Sequence, residues 1–151
     1  MEACVFCQIV RGEAPCHLIW EDDEHLAFLS IFPNTKGFSV VIPKVHISSY
    51  AFQAEDGVLQ KFILAAKQVA LLLDGKFVDV GRTGLILEGF GVDHLHAKLV
   101  PMHGTGHLTS WQRLSVPQDK YFTVYEGYIA SHDYKRADDQ DLADLAQYLR
   151  S

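Results

Sequence analysis

The stretch 91–103, G-V-D-H-L-H-A-K-L-V-P-M-H, holds the residues best suited to chemistry. His94, His96 and Lys98 recur at every second position, with Leu95, Ala97 and Leu99 between them. In an extended strand this alternation puts the basic side chains on one face, about 7 Å apart, and the apolar ones on the other. The spacing predicts a strand over 94–100 closed by Pro101, its leucine side on a core and its basic side offered to an anion. An isolated H-x-H reads as readily as two half-exposed strand residues. Here Lys98 completes the same face, Gly89 and Gly91 precede it, and His103 and His107 follow among glycines. A neutral imidazole, with a reference pKa of about 6.5, is a nucleophile near neutral pH. An ammonium, with a reference pKa of about 10.4, neutralises a phosphate oxygen well and shuttles protons poorly.

Composition narrows the ligand. The chain has 151 residues, 48% of them hydrophobic, enough for one domain with a real core. A formal net charge of −6 argues against a general field attracting nucleic acid, so a few local cations must recognise any phosphate and a small ligand is expected. The N-terminus lacks a signal pattern and no apolar run reaches the roughly 18 residues of a membrane span, so no membrane association is expected and the location is read as cytoplasmic. With three cysteines in a reducing compartment, Cys4-x-x-Cys7 suggests metal or redox chemistry, and Cys16 is expected to be buried and inert.

The elements that must position these groups follow from periodicity. Residues 4–12 read as a short helix with Val5, Phe6, Ile9 and Val10 on its apolar side, stopped by Gly12 and Pro15. The runs 17–21 and 25–31, separated by Asp22-Asp23, read as a hairpin, and 38–42 as a third strand ended by Pro43. The clearest helix covers 56–73, where Val58, Leu59, Phe62, Ile63, Ala66, Val69, Ala70 and Leu73 fall at three- and four-residue intervals, with Gly75 as terminator. Residues 83–87 make a fourth strand and 94–100 a fifth. Beyond Pro101, 121–129 reads as a strand and 138–149 as a helix with Leu142, Leu145, Ala146 and Leu149 on one side. The expected class is α+β: an antiparallel sheet of about five strands with one long and one short helix, plus a C-terminal extension.

Several ordered blocks resemble the histidine triad (HIT) family, whose mark is H-x-H-x-H followed by two apolar residues. His94 and His96 take the first two positions and Leu99 and Val100 the apolar pair, while Lys98 stands at the third histidine, a variant H-x-H-x-K. Upstream, Cys4-Val5-Phe6-Cys7-Gln8-Ile9, Gly12-Glu13-Ala14-Pro15, Glu21-Asp22-Asp23, Leu26-Ala27-Phe28-Leu29-Ser30-Ile31, Pro33, Gly37 and Val41-Ile42-Pro43-Lys44-Val45-His46 match the family's pattern. The resemblance covers about the first two thirds of the chain, so residues 1–110 are taken as a HIT domain and 111–151 as an extension packed on it.

The resemblance implies a HIT-like homodimer that binds nucleotides. It implies hydrolysis or nucleotidyl transfer at the α-phosphate of a dinucleoside polyphosphate, such as a diadenosine tetraphosphate-like molecule, or of a nucleoside phosphoramidate, through a nucleotidyl-histidine intermediate. His96 is carried over as nucleophile, Lys98 as a phosphate clamp, and His94 as a structural residue or zinc ligand. Val5, Phe6, Ile9, Phe28, Leu29, Ser30 and Ile31 would surround base and ribose, although by themselves such residues read as ordinary core. Cys4, Cys7, His46 and His94 occupy positions that some bacterial members use for zinc, and two thiolates with two imidazoles suit tetrahedral Zn²⁺. The alternative is reduced cysteines in the core with His46 on the surface.

Departures from the pattern attenuate the expectation. Ser30 replaces the aspartate that commonly grips the ribose, Phe38 replaces a histidine, and 88–93 lacks the family's serine and asparagine contacts. Galactose-1-phosphate uridylyltransferases carry glutamine at the third position, so a non-histidine there is compatible with covalent transfer. The alternative is a nucleotide-binding protein with little or no turnover because of Lys98. His103, His107, Trp111 and Arg113 would fold over the phosphate, reach a partner subunit's pocket as residues after the triad do in some family members, or remain a solvated loop.

Overall fold

A computed structural model describes residues 4–107, 110–113, 124 and 136–151. Along the described residues run α1 (Val5–Val10), β1 (His17–Glu21), β2 (His25–Leu29), β3 (Ser39–Pro43), α2 (Asp56–Lys76), β4 (Thr83–Ile86), β5 (Ala97–Pro101) and α3 (Asp139–Arg150), with a 3-10 turn at Ala51–Gln53. The five strands form one antiparallel sheet in the order β1-β2-β3-β5-β4. This is the expected α+β, HIT-like architecture. The reading of 121–129 as a strand falls, except for Val124, outside the described residues.

Period-two alternation gives the sheet two apolar faces. Ala27, Leu29, Val41, Ala97 and Leu99 point to one side and pack under Phe62, Ala65, Ala66, Val69 and Leu73 of α2 and Leu142, Ala146 and Leu149 of α3. Leu26, Phe28, Val40 and Ile42 point the other way, toward Phe6, Ile9 and Val10 of α1. The pairing of β1 with β2 slips by one residue between Leu18 and Trp20. That bulge lets Leu18 face α1 while both Ile19 and Trp20 join the α2/α3 side. The freed Leu18 carbonyl accepts a hydrogen bond from the Arg150 guanidinium.

Helix α3 starts where Asp138 accepts from the backbone N–H groups of Gln140 (2.8 Å) and Asp141 (3.1 Å), a side-chain N-cap. Helix α2 continues through Gly75 to Lys76, so Gly75 is not the terminator. One glycine within a long helix anchored by buried Val69 and Leu73 costs only about 1 kcal/mol, which packing outweighs. No helix among the described residues is long and apolar enough to cross a membrane.

The fifth strand begins later than its alternation suggests, at Ala97. His94, Leu95, His96 and Ala97 are all buried, so only from Ala97 onward does one face differ from the other. The cause is tertiary. The segment before β5 is bonded to the 47–49 segment, with the Leu95 N–H donating to the Ile47 carbonyl at 2.8 Å, and both of its faces are covered.

Candidate active site and metal-ligand cluster

The chain reaches the histidines through a turn that needs glycine. Gly89 has φ +77°, and a Cβ there would lie 2.9 Å from the Ser49 carbonyl oxygen. Asp93 then ties the turn down, its carboxylate accepting from the Ser49 N–H (2.9 Å) and the Ser48 hydroxyl (3.1 Å). Those two donors hold the Asp93 carboxyl below the usual carboxylate range. Leu95 is fully buried in the α2 side of the core. The flanking His94 and His96 rings meet the Phe6 ring edge-on at centroid distances of 5.7 and 5.6 Å.

His94 is held from both ends. Its Nε2 lies 2.9 Å from the Pro43 carbonyl oxygen, which can only accept, so Nε2 carries the proton and Nδ1 the lone pair. Nδ1 faces two sulfurs, Cys4 Sγ at 3.4 Å and Cys7 Sγ at 3.6 Å, and His46 Nδ1 lies 3.4 Å from Cys7 Sγ. All four donor atoms fall within 4.8 Å of one another. A tetrahedral ion with bonds of about 2.3 Å to sulfur and about 2.0 Å to nitrogen needs S···N separations near 3.5 Å. The donor set therefore fits zinc in type and spacing. Burial pushes the His94 pKa down and favours the neutral ring, the form that ligates.

His96 Nδ1 donates to the His94 carbonyl at 2.7 Å, leaving Nε2 unprotonated in the neutral ring. Burial lowers its pKa, opposed next by the hydrogen bond to the His94 carbonyl; the Lys98 charge adds to the lowering, and Glu88 and the Phe90 carbonyl oppose it more weakly. The ring forms part of the wall of a cavity of about 380 Å³. Val5, Phe6, Ile9, Phe28, Leu29, Ser30 and Ile31 all line this cavity, as do Phe38, Phe90 and Lys98. Cys16 lines it too and is half-buried, so it is a wall residue and not part of a closed core. Ser30 Oγ accepts from the Phe32 N–H at 3.1 Å.

Lys98 reaches the cavity paired. Its Nζ donates to Glu88 Oε1 at 2.6 Å, with the side chains 16% and 10% exposed. Sequence reasoning passed over Glu88, although a signal was present. Ile86 pairs with Lys98 across β4 and β5, so two residues further the chain carries an acid toward the same face. Of the residues after β5, His103 turns to Asp79 (3.1 Å) and the Lys36 carbonyl (2.8 Å), against the Phe77 ring. Trp111 is 74% exposed, and none of His103, His107, Trp111 and Arg113 is among the described cavity residues.

The HIT domain family model matches residues 11–105. The Hit protein of Bacillus subtilis is 30% identical over 155 aligned positions, covering 99% of this chain and 97% of its own. The adenosine 5'-monophosphoramidase of Schizosaccharomyces pombe is 32% identical over 99 residues, 66% of this chain and 74% of that enzyme. Among solved structures, a zinc-bound histidine triad family protein from Mycobacterium smegmatis superposes with a TM-score of 0.69 at 22% identity, covering 98% of this chain and 91% of that one.

Proposed function

The chain belongs to the HIT family, and from that premise we propose that it is a nucleotide hydrolase or nucleotidyl transferase acting at the α-phosphorus of a dinucleoside polyphosphate or nucleoside phosphoramidate. The observation that carries the reading is the His96 ring, fixed in the cavity wall with Nδ1–H on the His94 carbonyl and the Nε2 lone pair left for attack. The cavity volume suits a nucleoside monophosphate, and its apolar wall from α1 and β2 suits a base. In the first step Nε2 forms a bond to phosphorus. The bond to the leaving oxygen or nitrogen breaks, its electron pair departs with the leaving group, and solvent supplies the proton. In the second step water attacks phosphorus, the P–N pair returns to Nε2, and the water proton passes to solvent. The Lys98 ammonium donates a hydrogen bond to a phosphate oxygen during both steps. The similarity to an adenosine 5'-monophosphoramidase supports this class.

Cys4, Cys7, His46 and His94 would hold a structural Zn²⁺, a reading supported by the donor spacing and by the zinc in the Mycobacterium smegmatis relative. The ion would cross-link α1 to the segment entering β5, and the Pro43 carbonyl would orient His94 from behind. The homodimer is supported by the position of β4 at an edge of the sheet, unpaired on its outer side among the described residues, and by the exposure of Leu85 on β4 (42%) and of Leu64 and Leu71 on α2 (59% and 54%). A second reading, binding with little or no turnover, is favoured by the engagement of Lys98 with Glu88. Intact-protein mass spectrometry after incubation with diadenosine polyphosphates and adenosine phosphoramidate separates the two. The enzyme gives a nucleotidyl adduct or released mononucleotide with wild type and neither with His96→Ala. Retained nucleotide without either product in wild type establishes the binding protein. The native spectrum also reports dimer mass and bound zinc.

A further inference from the structure

Among the described residues that line the cavity, Lys98 is the only side chain with a full formal charge, and that charge is already matched. Glu88 approaches it from the end of β4, where the register places it near Lys98 and outside the cavity lining. The 2.6 Å contact and low exposure of both side chains make this an ion pair with little water between its members. Solvent screens such a pair far less than a surface pair. An uncompensated ammonium would favour the most highly charged phosphate that could reach it. A paired one offers donors on a background close to neutral, because each added negative charge on the ligand is also repelled by the carboxylate behind.

We propose that Glu88 is a positioning residue that sets the charge accepted at the phosphate end of the cavity. By holding and cancelling Lys98, it favours phosphates bearing one negative charge, as in an internal phosphate ester or an amidate. It disfavours the doubly charged terminal monoester. A nucleoside monophosphate, carrying between about −1.5 and −2 at neutral pH, is then expelled as product while the singly charged substrate is retained. This rests on the nucleotide-binding reading above.

The test is calorimetric binding at pH 8 of two probes, adenosine 5'-monophosphate and its methyl ester, to wild type, Glu88→Gln, Glu88→Asp and Lys98→Met. Removing the carboxylate charge in Glu88→Gln is expected to raise affinity for the monophosphate about tenfold more than for the methyl ester, the change one further like charge at this range produces. Glu88→Asp, which keeps the charge, restores the wild-type ratio. In Lys98→Met, removing the ammonium while keeping the carboxylate weakens the monophosphate more than the ester, an arm that stays decisive should Glu88→Gln fail to fold. Equal changes for both probes in Glu88→Gln, as loss of mere structural support gives, overturn the role of Glu88 alone. Wild type that binds neither probe overturns the nucleotide reading together with it.

Discussion

Zinc should stabilise this protein through its short first helix, α1. That helix has six residues, none of them fully buried, and no side-chain hydrogen bond at its N-cap. A helix well under about 12 residues is marginal by itself, so its attachment depends on Phe6, Ile9 and Val10 against the sheet and on the Cys4/Cys7 end. If an ion occupies the four-donor cluster at about 100 times its dissociation constant, the native state gains about 2.7 kcal/mol. For a chain of this length that corresponds to a rise in Tm of roughly 5 to 10 °C. The assay is differential scanning fluorimetry of chelator-stripped protein titrated with Zn²⁺, in parallel with Cys7→Ser and Cys16→Ser. Wild type and Cys16→Ser should gain stability and Cys7→Ser should not. The gain should shrink as pH falls, because zinc must displace thiol protons and burial together with Cys4 raises the Cys7 pKa. An equal rise in Cys7→Ser, or a flat Tm in wild type with one equivalent of zinc, would refute the reasoning.

Three further outcomes are expected. Leu149 of α3 is fully buried against the sheet, so Leu149→Ala should cost about 2 to 5 kcal/mol, read from urea unfolding; a loss under about 1 kcal/mol would show α3 to be dispensable. Gly89→Ala places a Cβ against the Ser49 carbonyl at a φ of +77°, so nucleotide turnover or binding should drop well beyond the roughly 1 to 2 kcal/mol strain on stability, measured by parallel activity and melting curves. Because burial lowers the pKa of His94 and His96 in the fold, the unfolded chain binds more protons below about 6.5. Stability from these rings is therefore present above that pH and is lost as pH falls toward their folded values. Chelator-stripped protein should melt at lower temperature at pH 5.5 than at pH 7.5, with a shallower slope in His96→Asn; a flat profile would contradict the burial argument.

Local pattern made much of this molecule legible. The β-type runs at 17–21, 25–29 and 39–43 with the turn residues and proline that bound them, the heptad-like spacing of α2 and the acidic start of α3 are short-range signals that packing reinforced. The boundary of β5 was misread because alternation reports faces only where one face meets solvent, and the segment 94–96 is enclosed on both. Gly75 misled because a weak local breaker yields to a helix already anchored before it by Val69 and Leu73, and the helix runs one residue past it to Lys76.

The sequence by itself determined the chemistry available: which residues can ligate, attack or carry charge, in an order that resembles one family. Tertiary structure decided which of them meet and in what protonation state. Glu88 and Lys98 stand ten residues apart and are joined only by the β4/β5 register. Cys4 and His94 stand 90 apart and are joined only where α1 crosses the sheet. The tautomers of both histidines follow from two backbone carbonyls, Pro43 and His94, and carbonyls are the same at every position of a sequence. Side-chain type is local information, whereas proximity and burial, which tune charge and reactivity, arise only from contacts between segments distant along the chain.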